Sequence, residues 1–254
     1  MTTDNTTWHR LTKDHIESSA SPLIVILGPT ASGKTTFSVE LAKWLKQEFK
    51  KDTEVINADS RQLFRNMDIG TAKVSEEEMQ EVPHHLLDVL DPNDEINVAW
   101  YKDKAEAAAD DILRRGNIPL LVGGSMLYIA SVTDGLTFDE SVRSELRSPE
   151  ASCKYDLLVL GLGKDRSEII NRINVRTEKL FESGWIYEVK SLVDQGYTKT
   201  DPGIKACGYR EIIDFLNLDT SDEDKLRESI AAKTRQYARR QMTWWKGDTR
   251  IHWL

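Results

Sequence analysis

The octapeptide GPTASGKT, residues 28–35, fits the pattern G-x-x-x-x-G-K-[ST] of a phosphate-binding loop. The apolar run PLIVIL at 22–27 comes directly before it and is typical of a strand buried on both faces. Apolar residues recur at helical spacing after it, which predicts an amphipathic helix over about 34–49. Strand, glycine-rich turn and helix are the surroundings that this motif requires, so we predict a P-loop α/β fold.

The chemistry of this loop is that of an anion cradle. Glycines let successive backbone N–H groups point into one concavity, and the N-terminus of the following helix adds positive potential. Lys34 supplies a mobile cation, and the Thr35 hydroxyl can ligate Mg²⁺. A di- or triphosphate, ATP included, is therefore the predicted ligand. The predicted binding residues are Gly28, Pro29, Thr30, Ala31, Ser32, Gly33, Lys34 and Thr35.

Strands and helices alternate further along the chain. A second strand is predicted at 54–58 and a third at 118–122, with a helix over about 99–115 between them. This alternation predicts a parallel sheet covered by helices on both faces, with ligands outside the carboxyl ends of the strands. The residues that follow the three strands are therefore expected to face one crevice.

The remainder of the chain is predicted to be mostly helical. A fourth apolar run at 155–160 precedes helical patterns at about 166–181, 185–193 and 222–245. We expect residues 22–254 to form one P-loop domain with a helical C-terminal region, 165–254. Residues 1–21 are polar and aperiodic, and we expect them to be a loose leader.

Composition excludes several classes of protein. The 254 residues include 34 Lys and Arg against 42 Asp and Glu, a net charge of -8, so any contact with nucleic acid must be local. No apolar run reaches the roughly 20 residues of a membrane helix and no signal peptide is recognisable, which predicts a cytoplasmic protein. The 2 cysteines and 5 histidines show no metal-binding spacing, and His84 and His85 are expected in a loop or at the edge of the core.

The residues after the second and third strands bear on the reaction, because a phosphate cradle alone can serve kinases, NTPases and enzymes that expel diphosphate. An ordinary P-loop NTPase places a Mg²⁺-binding Asp at the end of an apolar strand, whereas the strongest strand here ends in Gly123-Gly124-Ser125. Asp59 follows the second strand. It could bind Mg²⁺, orient an exocyclic amine as a base or hydrogen-bond acceptor, or only cap a helix that begins near Ser60.

Six blocks of sequence carry a resemblance to a known family. They are GPTASGKT (28–35), NADSRQLFRNMDIGTAK (57–73), PHHLLDVLDP (83–92), IPLLVGGSMLY (118–128), KACGYRE (205–211) and TRQYARRQMTWW (234–245). In this order they resemble the tRNA dimethylallyltransferases, also called tRNA isopentenyltransferases. The resemblance implies transfer of a dimethylallyl group from dimethylallyl diphosphate to N6 of an adenosine next to the anticodon (position 37) of tRNA, with release of diphosphate.

The resemblance also implies roles for individual residues. Lys34, Thr35 and the loop amides would hold diphosphate together with Mg²⁺, and Asp59 would accept a hydrogen from the adenine N6. Ser125, where the family usually has Thr, would place a hydroxyl near the reacting centre, and Arg143 would face the diphosphate. The implied tRNA contacts are Asp59, Ser60, Arg61, Gln62, Lys205, Ala206, Cys207, Gly208, Tyr209 and Arg210.

The segment 233–246 carries basic residues and no acidic one, with aromatic residues between them. On a helix, one face carries Arg235, Arg239 and Met242, and another carries Tyr237, Gln241 and Trp244. We expect Arg235 and Arg239 to contact RNA phosphates and the aromatic residues to pack inward. The alternative is a solvated charged face over an aromatic stripe that only packs the core.

One departure from the family concerns the grip on RNA. Members usually carry a helical insertion after the G-G-T-M-L-Y helix, whereas here the insertion is nearly absent, near 136–154. The substrate could then be free AMP, ADP or ATP, as in the related adenylate isopentenyltransferases. A small-molecule kinase and a non-catalytic RNA-binding relic are further alternatives. We favour tRNA as the substrate, because residues 57–62, residues 205–211 and the basic helix have the character of RNA contacts. We also expect the protein to be a monomer.

Overall fold

A computed structural model describes residues 5–136, 153–217 and 222–254. The strands in these ranges are β1 (Pro22–Leu27), β2 (Thr53–Ala58), β3 (His84–His85), β4 (Ile118–Gly123), β5 (Asp156–Gly161) and β6 (Ile251–Trp253). They form one sheet in the order β3-β2-β4-β1-β5-β6, and every neighbouring pair is parallel. The predicted parallel α/β sheet is therefore confirmed.

Helices precede, connect and follow the strands. The α-helices in the described ranges are α1 (Asn5–Ser18), α2 (Lys34–Phe49), α3 (Glu76–Met79), α4 (Val98–Arg114), α5 (Met126–Thr133), α6 (Arg166–Glu182), α7 (Trp185–Asp194), α8 (Tyr209–Leu216) and α9 (Glu223–Trp245), and a 3₁₀ helix spans Gly203–Lys205. The bounds of α2 are those predicted from its apolar spacing, and α4, α6, α7 and α9 lie within one residue of prediction. A strongly periodic apolar face therefore defined these helices well.

The strand β1 is buried on both faces, as its unbroken apolar run predicted. Leu23, Val25 and Leu27 contact a core shared with α4, α5 and the C-terminal helices. Ile24 and Ile26 contact a second core shared with α1 and α2. Full burial of each such side chain contributes roughly 2 kcal/mol, so both helical layers are held firmly against the strand that leads into the phosphate-binding loop.

The N-terminal residues contradict the expectation of a loose leader. Residues Asn5–Ser18 form α1, and Trp8 is 2% exposed with its ring edge-to-face to Trp44 of α2, 5.4 Å between ring centroids. Thr12 and Ile16 are buried on the same side. Positions 8, 12 and 16 follow one another at intervals of four residues, so they form one buried face of the helix. Polar residues between them make this face hard to recognise in the sequence.

The outer strands are very short. β3 pairs Val55 and Ile56 with the two histidines, which therefore lie at the edge of the sheet. β6 pairs with β5 and brings the Trp253 ring against Gly161, where a side chain would collide with it.

Within the described ranges, none of the helices has both the length and the apolar character that crossing a membrane requires.

A buried carboxylate ties β2 to its neighbours. Glu54 is 4% exposed and accepts hydrogen bonds from the Arg115 guanidinium at both oxygens and from Asn117 Nδ2 at 2.8 Å. His85 Nε2 lies 2.7 Å from its Oε2. The Arg115 guanidinium is the main cause that lowers the pKa of Glu54 from 4.5 to about 2. The ionised carboxylate therefore stabilises the folded state.

We expect Glu54→Gln to lower the free energy of unfolding by about 2 kcal/mol at pH 7, because the buried carboxylate loses its charge and its ionic hydrogen bonds to the half-exposed Arg115. The folded pKa lies below the unfolded value, so this stabilisation is present above pH 4.5 and is lost as the pH falls toward 2. Urea unfolding at neutral and acidic pH measures both effects. Glu168→Gln, which removes an exposed ion pair, should cost under about 1 kcal/mol. A difference from wild type that does not shrink at acidic pH would contradict the assignment.

Candidate active site

The carboxyl ends of β1, β2 and β4 lie side by side, as predicted. Gly123 at the end of β4 is paired with Leu27 of β1 on one side and with Ala58 of β2 on the other. The segments that follow these strands therefore meet, and they border a cavity of about 600 Å³. This main cavity is lined by the tip of the phosphate-binding loop, residues 59–61, the start of α5, and parts of α6, α8 and α9.

A smaller cavity of about 50 Å³ adjoins the phosphate-binding loop. Lys34 and Thr35 line it, together with Asn57 of β2. Asp59 lines both this small cavity and the main cavity. A carboxylate thus stands at the boundary between the predicted anion cradle and a much larger space.

The loop 28–35 places a lysine ammonium group and a buried serine hydroxyl close to each other. Gly33 has φ 98°, which glycine adopts without strain. Lys34 Nζ donates to the carbonyls of Gly28 (3.0 Å) and Pro29 (2.9 Å), and burial lowers the pKa of Lys34 to about 8. Ser32 Oγ is buried without a hydrogen-bond partner among the described residues. The loop therefore holds an ammonium group and an unsatisfied hydroxyl, both suited to phosphate oxygens.

The segment after β2 shapes the position of Asp59. The backbone N–H of Asp59 donates to Asn57 Oδ1, and Asp59 Oδ1 accepts the backbone N–H of Arg61 at 2.9 Å. Residues 60–62 form a turn and not a helix, so the alternative of a helix cap is wrong. The aspartate instead closes an Asx turn, which leaves Oδ2 without a hydrogen bond to the described residues.

The turn after β4 is fixed against the turn after β2. Ser125 is 8% exposed, its Oγ accepts the backbone N–H of Ser60 at 2.8 Å, and its own N–H donates to Ala58 at 3.0 Å. A Cβ on Gly123 would come within 2.2 Å of the Ala58 carbonyl, so only glycine permits this approach. Ser125 therefore lines the main cavity beside the Asp59 turn.

One cation of the cavity was not anticipated from the sequence. Arg176 of α6 lines the main cavity, and burial lowers its pKa, whereas the nearby Asp59 carboxylate raises it. Its charge also helps to lower the pKa of Lys34. The buried side of α6 carries Ile173 and Thr177, which flank Arg176 and could have indicated its direction. Arg143, predicted to face the diphosphate, lies outside the described residues.

The predicted RNA-contacting residues divide into two groups. Lining the main cavity are Ser60, Arg61, Lys205, Ala206, Cys207 and Arg210. Gln62 instead donates to the carbonyls of Thr71 and Ala72, and Gly208 packs against the Trp185 ring. Tyr209 is fully buried, which places its side chain beyond the reach of a partner. The 205–210 block thus combines cavity residues with residues that support the fold.

A single carboxylate supports this block. Glu188 of α7 accepts the Tyr209 hydroxyl at 2.6 Å and the backbone N–H groups of Asp68 (2.7 Å), Ile69 (2.6 Å) and Gly70 (3.0 Å). Gly70 also lines the main cavity. One side chain therefore joins the loop 68–70, which follows β2 in sequence, to the C-terminal helices.

The basic helix α9 presents its cations in two directions. Lys233 and Arg240 line the main cavity, whereas Arg235 and Arg239 border a second cavity of about 530 Å³ against α6. Trp244, predicted to pack inward, is 50% exposed, and the neighbouring Trp245 takes the buried place. The aromatic face was therefore assigned wrongly at this end of the helix, because adjacent tryptophans fit two registers equally well.

The fold and these cavities are those of a P-loop α/β enzyme with a cation-lined pocket beside the loop. A family model described as IPP transferase matches residues 62–154 and 140–248. The tRNA dimethylallyltransferase of Kineococcus radiotolerans is 35% identical, in an alignment that covers 92% of this chain and 90% of that protein. The chain therefore belongs to the IPP transferase family, which confirms the resemblance found in the sequence.

Solved structures agree with this assignment. The full-length tRNA isopentenylpyrophosphate transferase of Bacillus halodurans is 32% identical with a TM-score of 0.82, over 92% of this chain and 89% of that chain. A eukaryotic dimethylallyltransferase acting on tRNA has a TM-score of 0.79 over 92% of this chain and 74% of that chain. At 23% identity, this second likeness concerns the fold alone.

Proposed function

We propose that the protein transfers a dimethylallyl group from dimethylallyl diphosphate to N6 of adenosine 37 of tRNA. The observation that carries this proposal is the position of Asp59 between the two cavities. Lys34 and Thr35 lie on one side, where the diphosphate would bind, and the main cavity can receive a base on the other. As the N6–carbon bond forms and the carbon–oxygen bond breaks, the amine proton passes to Asp59 and diphosphate leaves.

Positive charge on the leaving-group side favours this reaction. The allylic carbon develops cationic character as the diphosphate departs, so donors must stabilise the charge that accumulates on the phosphate oxygens. Lys34 is a half-buried cation on this side, and the Ser32 hydroxyl is available as a further donor. Arg176, a half-buried cation of the main cavity, is close enough for its charge to lower the pKa of Lys34. A well-aimed donor of this kind contributes roughly 3 kcal/mol to the transition state.

Mg²⁺ fits the oxygen donors beside the loop. The described residues form no cluster of three or more His, Cys, Asp or Glu that could hold a metal ion on its own. Mg²⁺ needs no such cluster, because it commonly takes one or two protein oxygens together with substrate phosphates and water. We propose Thr35 as its protein ligand. When bound, the ion would neutralise charge on the leaving diphosphate.

The main cavity suits an RNA base. Its lining carries the basic side chains of Arg61, Lys205, Arg210, Lys233 and Arg240, which can contact phosphates while a base enters. A target base has to leave its stack, which costs a few kcal/mol and is easiest in a single-stranded loop.

The proposal keeps the cytoplasmic location and the monomeric state expected from the sequence.

The insertion near 136–154 is proposed to be reduced, and two findings support this. The alignment with the Kineococcus protein runs over 287 residues but covers 92% of a 254-residue chain, so about 50 aligned positions have no residue here. The family model also matches in two pieces that overlap at 140–154. Because this change affects the grip on RNA, prenylation of a free adenine nucleotide is the second candidate function.

One competition reaction tests the two candidates. The protein is incubated with Mg²⁺, dimethylallyl diphosphate, unmodified tRNA, AMP, ADP and ATP, and the nucleosides and free nucleotides are analysed by mass spectrometry. We expect dimethylallyl adenosine in the tRNA alone, and none in a matched tRNA that carries guanosine at position 37. Prenylated free nucleotide would establish the second candidate. Phosphoryl transfer without prenylation would indicate a kinase, and RNA binding without any product would indicate a relic.

A further inference from the structure

We infer that Gln241 of α9 is a positioning residue that holds the phosphate-binding loop in register with the turn carrying Ser125. The inference rests on the proposed prenyl transfer. Gln241 is 2% exposed, although most of the polar side chains of α9 face solvent. Its amide lies between two loops that are 211 and 117 residues away in sequence.

Both ends of the Gln241 amide are used, in opposite roles. Its Oε1 accepts the backbone N–H of Thr30 at 2.9 Å, and its Nε2 donates to the Gly124 carbonyl at 2.7 Å. The Tyr237 hydroxyl, one helical turn earlier, donates to the same carbonyl at 3.3 Å. A carboxamide accepts at one atom and donates at the other without carrying charge, and it keeps both roles at every pH at which the protein is folded.

The residue at 124 is adapted to this contact. A Cβ on Gly124 would lie 2.4 Å from Gln241 Nε2, so any larger residue would displace the amide. Gly124 does not have a positive φ, so the turn itself does not require glycine there. Close approach of the Gln241 amide is therefore the reason for glycine at this position.

The two loops joined by Gln241 serve opposite sides of the reaction. Thr30 belongs to the loop that would hold the diphosphate. Gly124 precedes Ser125, whose hydroxyl holds the Ser60 amide next to Asp59. Displacement requires the amine, the allylic carbon and the leaving oxygen in line, and an error of about 1 Å can cost about a hundredfold in rate. The Gln241 amide fixes the spacing between these groups without touching either substrate.

Gln241→Met tests this role, because methionine has a similar length and makes neither hydrogen bond. We expect kcat to fall about tenfold with saturating substrates, while the affinity for inorganic diphosphate stays within about threefold of wild type. Lys34 and the remaining loop amides account for the retained affinity. Gln47→Met, at an exposed position of α2, is the matched control and should leave both quantities unchanged.

Gln241→Glu adds a readout that loss of packing alone would not produce. An ionised carboxylate can accept the Thr30 N–H but cannot donate to Gly124, whereas a protonated one can do both. The activity of Gln241→Glu relative to wild type should therefore rise as the pH falls, and that of Gln241→Met should stay constant. The nearby Tyr237 keeps its proton across this range, because burial raises its pKa to about 12.

Three results would overturn the inference. They are a wild-type kcat in Gln241→Met, a diphosphate affinity that falls as much as kcat, and a pH-independent activity ratio for Gln241→Glu. Diphosphate titration of each variant shows that its loop is folded. Failure of the wild-type protein to prenylate either tRNA or nucleotide would instead reject the proposed function, and this role with it.

Discussion

Asp59→Asn is expected to lower turnover by about two to four orders of magnitude, which is the usual contribution of a general base. Asparagine keeps an oxygen that can accept the Arg61 N–H, so the Asx turn survives. Its amide cannot take the proton from the adenine N6. Affinity for diphosphate should remain near that of wild type, because Lys34 and Thr35 are unchanged. Single-turnover kinetics and calorimetric titration measure these two quantities separately.

Two further variants complete this test. Asp194→Asn makes the same chemical change at an exposed position of α7 and should have wild-type turnover. Asp59→Ala removes the turn as well as the base, so it should lose a similar factor in turnover and also some stability. Turnover of Asp59→Asn within a few-fold of wild type would reject the carboxylate as the proton acceptor.

Lys34→Met is expected to weaken the binding of dimethylallyl diphosphate by roughly ten- to a hundredfold. Hydrogen bonds to charged groups contribute about 1.5–3 kcal/mol, and methionine retains the length of the side chain without its charge. The loop amides and the helix N-terminus remain, so binding should be weakened and not abolished. Calorimetric titration with both dimethylallyl diphosphate and inorganic diphosphate measures the loss, which should be similar for the two ligands.

The control for Lys34→Met lies on the same helix. Lys43→Met removes an exposed ammonium group from α2 and should not change either affinity. Lys34 also donates to two loop carbonyls, so thermal unfolding of each variant is needed to show that the protein is intact. Unchanged affinity in a folded Lys34→Met protein would mean that the diphosphate binds elsewhere.

The parts of the fold that the sequence predicts well are those with strong periodicity. The apolar run of β1 and the helical spacing of α2 predicted strand, loop and helix because both elements bury many side chains against the sheet. The edge strands β3 and β6 were missed, since two or three residues cannot form a recognisable alternation. The helix α1 was missed because its buried stripe is interrupted by charged and polar residues.

The candidate site was predictable where a motif specifies backbone geometry. The loop 28–35 and the ends of β2 and β4 follow from strand order, so Asp59 and Ser125 were expected in one crevice and are found there. Arg176 and the direction of Arg235 depend on how α6 and α9 pack, and that packing involves residues far apart in sequence. The charges alone do not show which side of a helix faces a cavity; for Arg176 the buried neighbours Ile173 and Thr177 indicate the inward side of α6 but not the cavity beside it.

The hydrogen bonds of Glu188 limit how segments could be exchanged between relatives. A chimera that takes its C-terminal helices from another family member would take the carboxylate at position 188 from that parent. This carboxylate must lie within hydrogen-bond distance of the three backbone N–H groups of 68–70. Those N–H groups would come from the other parent. Recombination at a point between residue 70 and α7 therefore separates an acceptor from its donors, and crossover sites that keep 68–70 with Glu188 should yield folded hybrids more often.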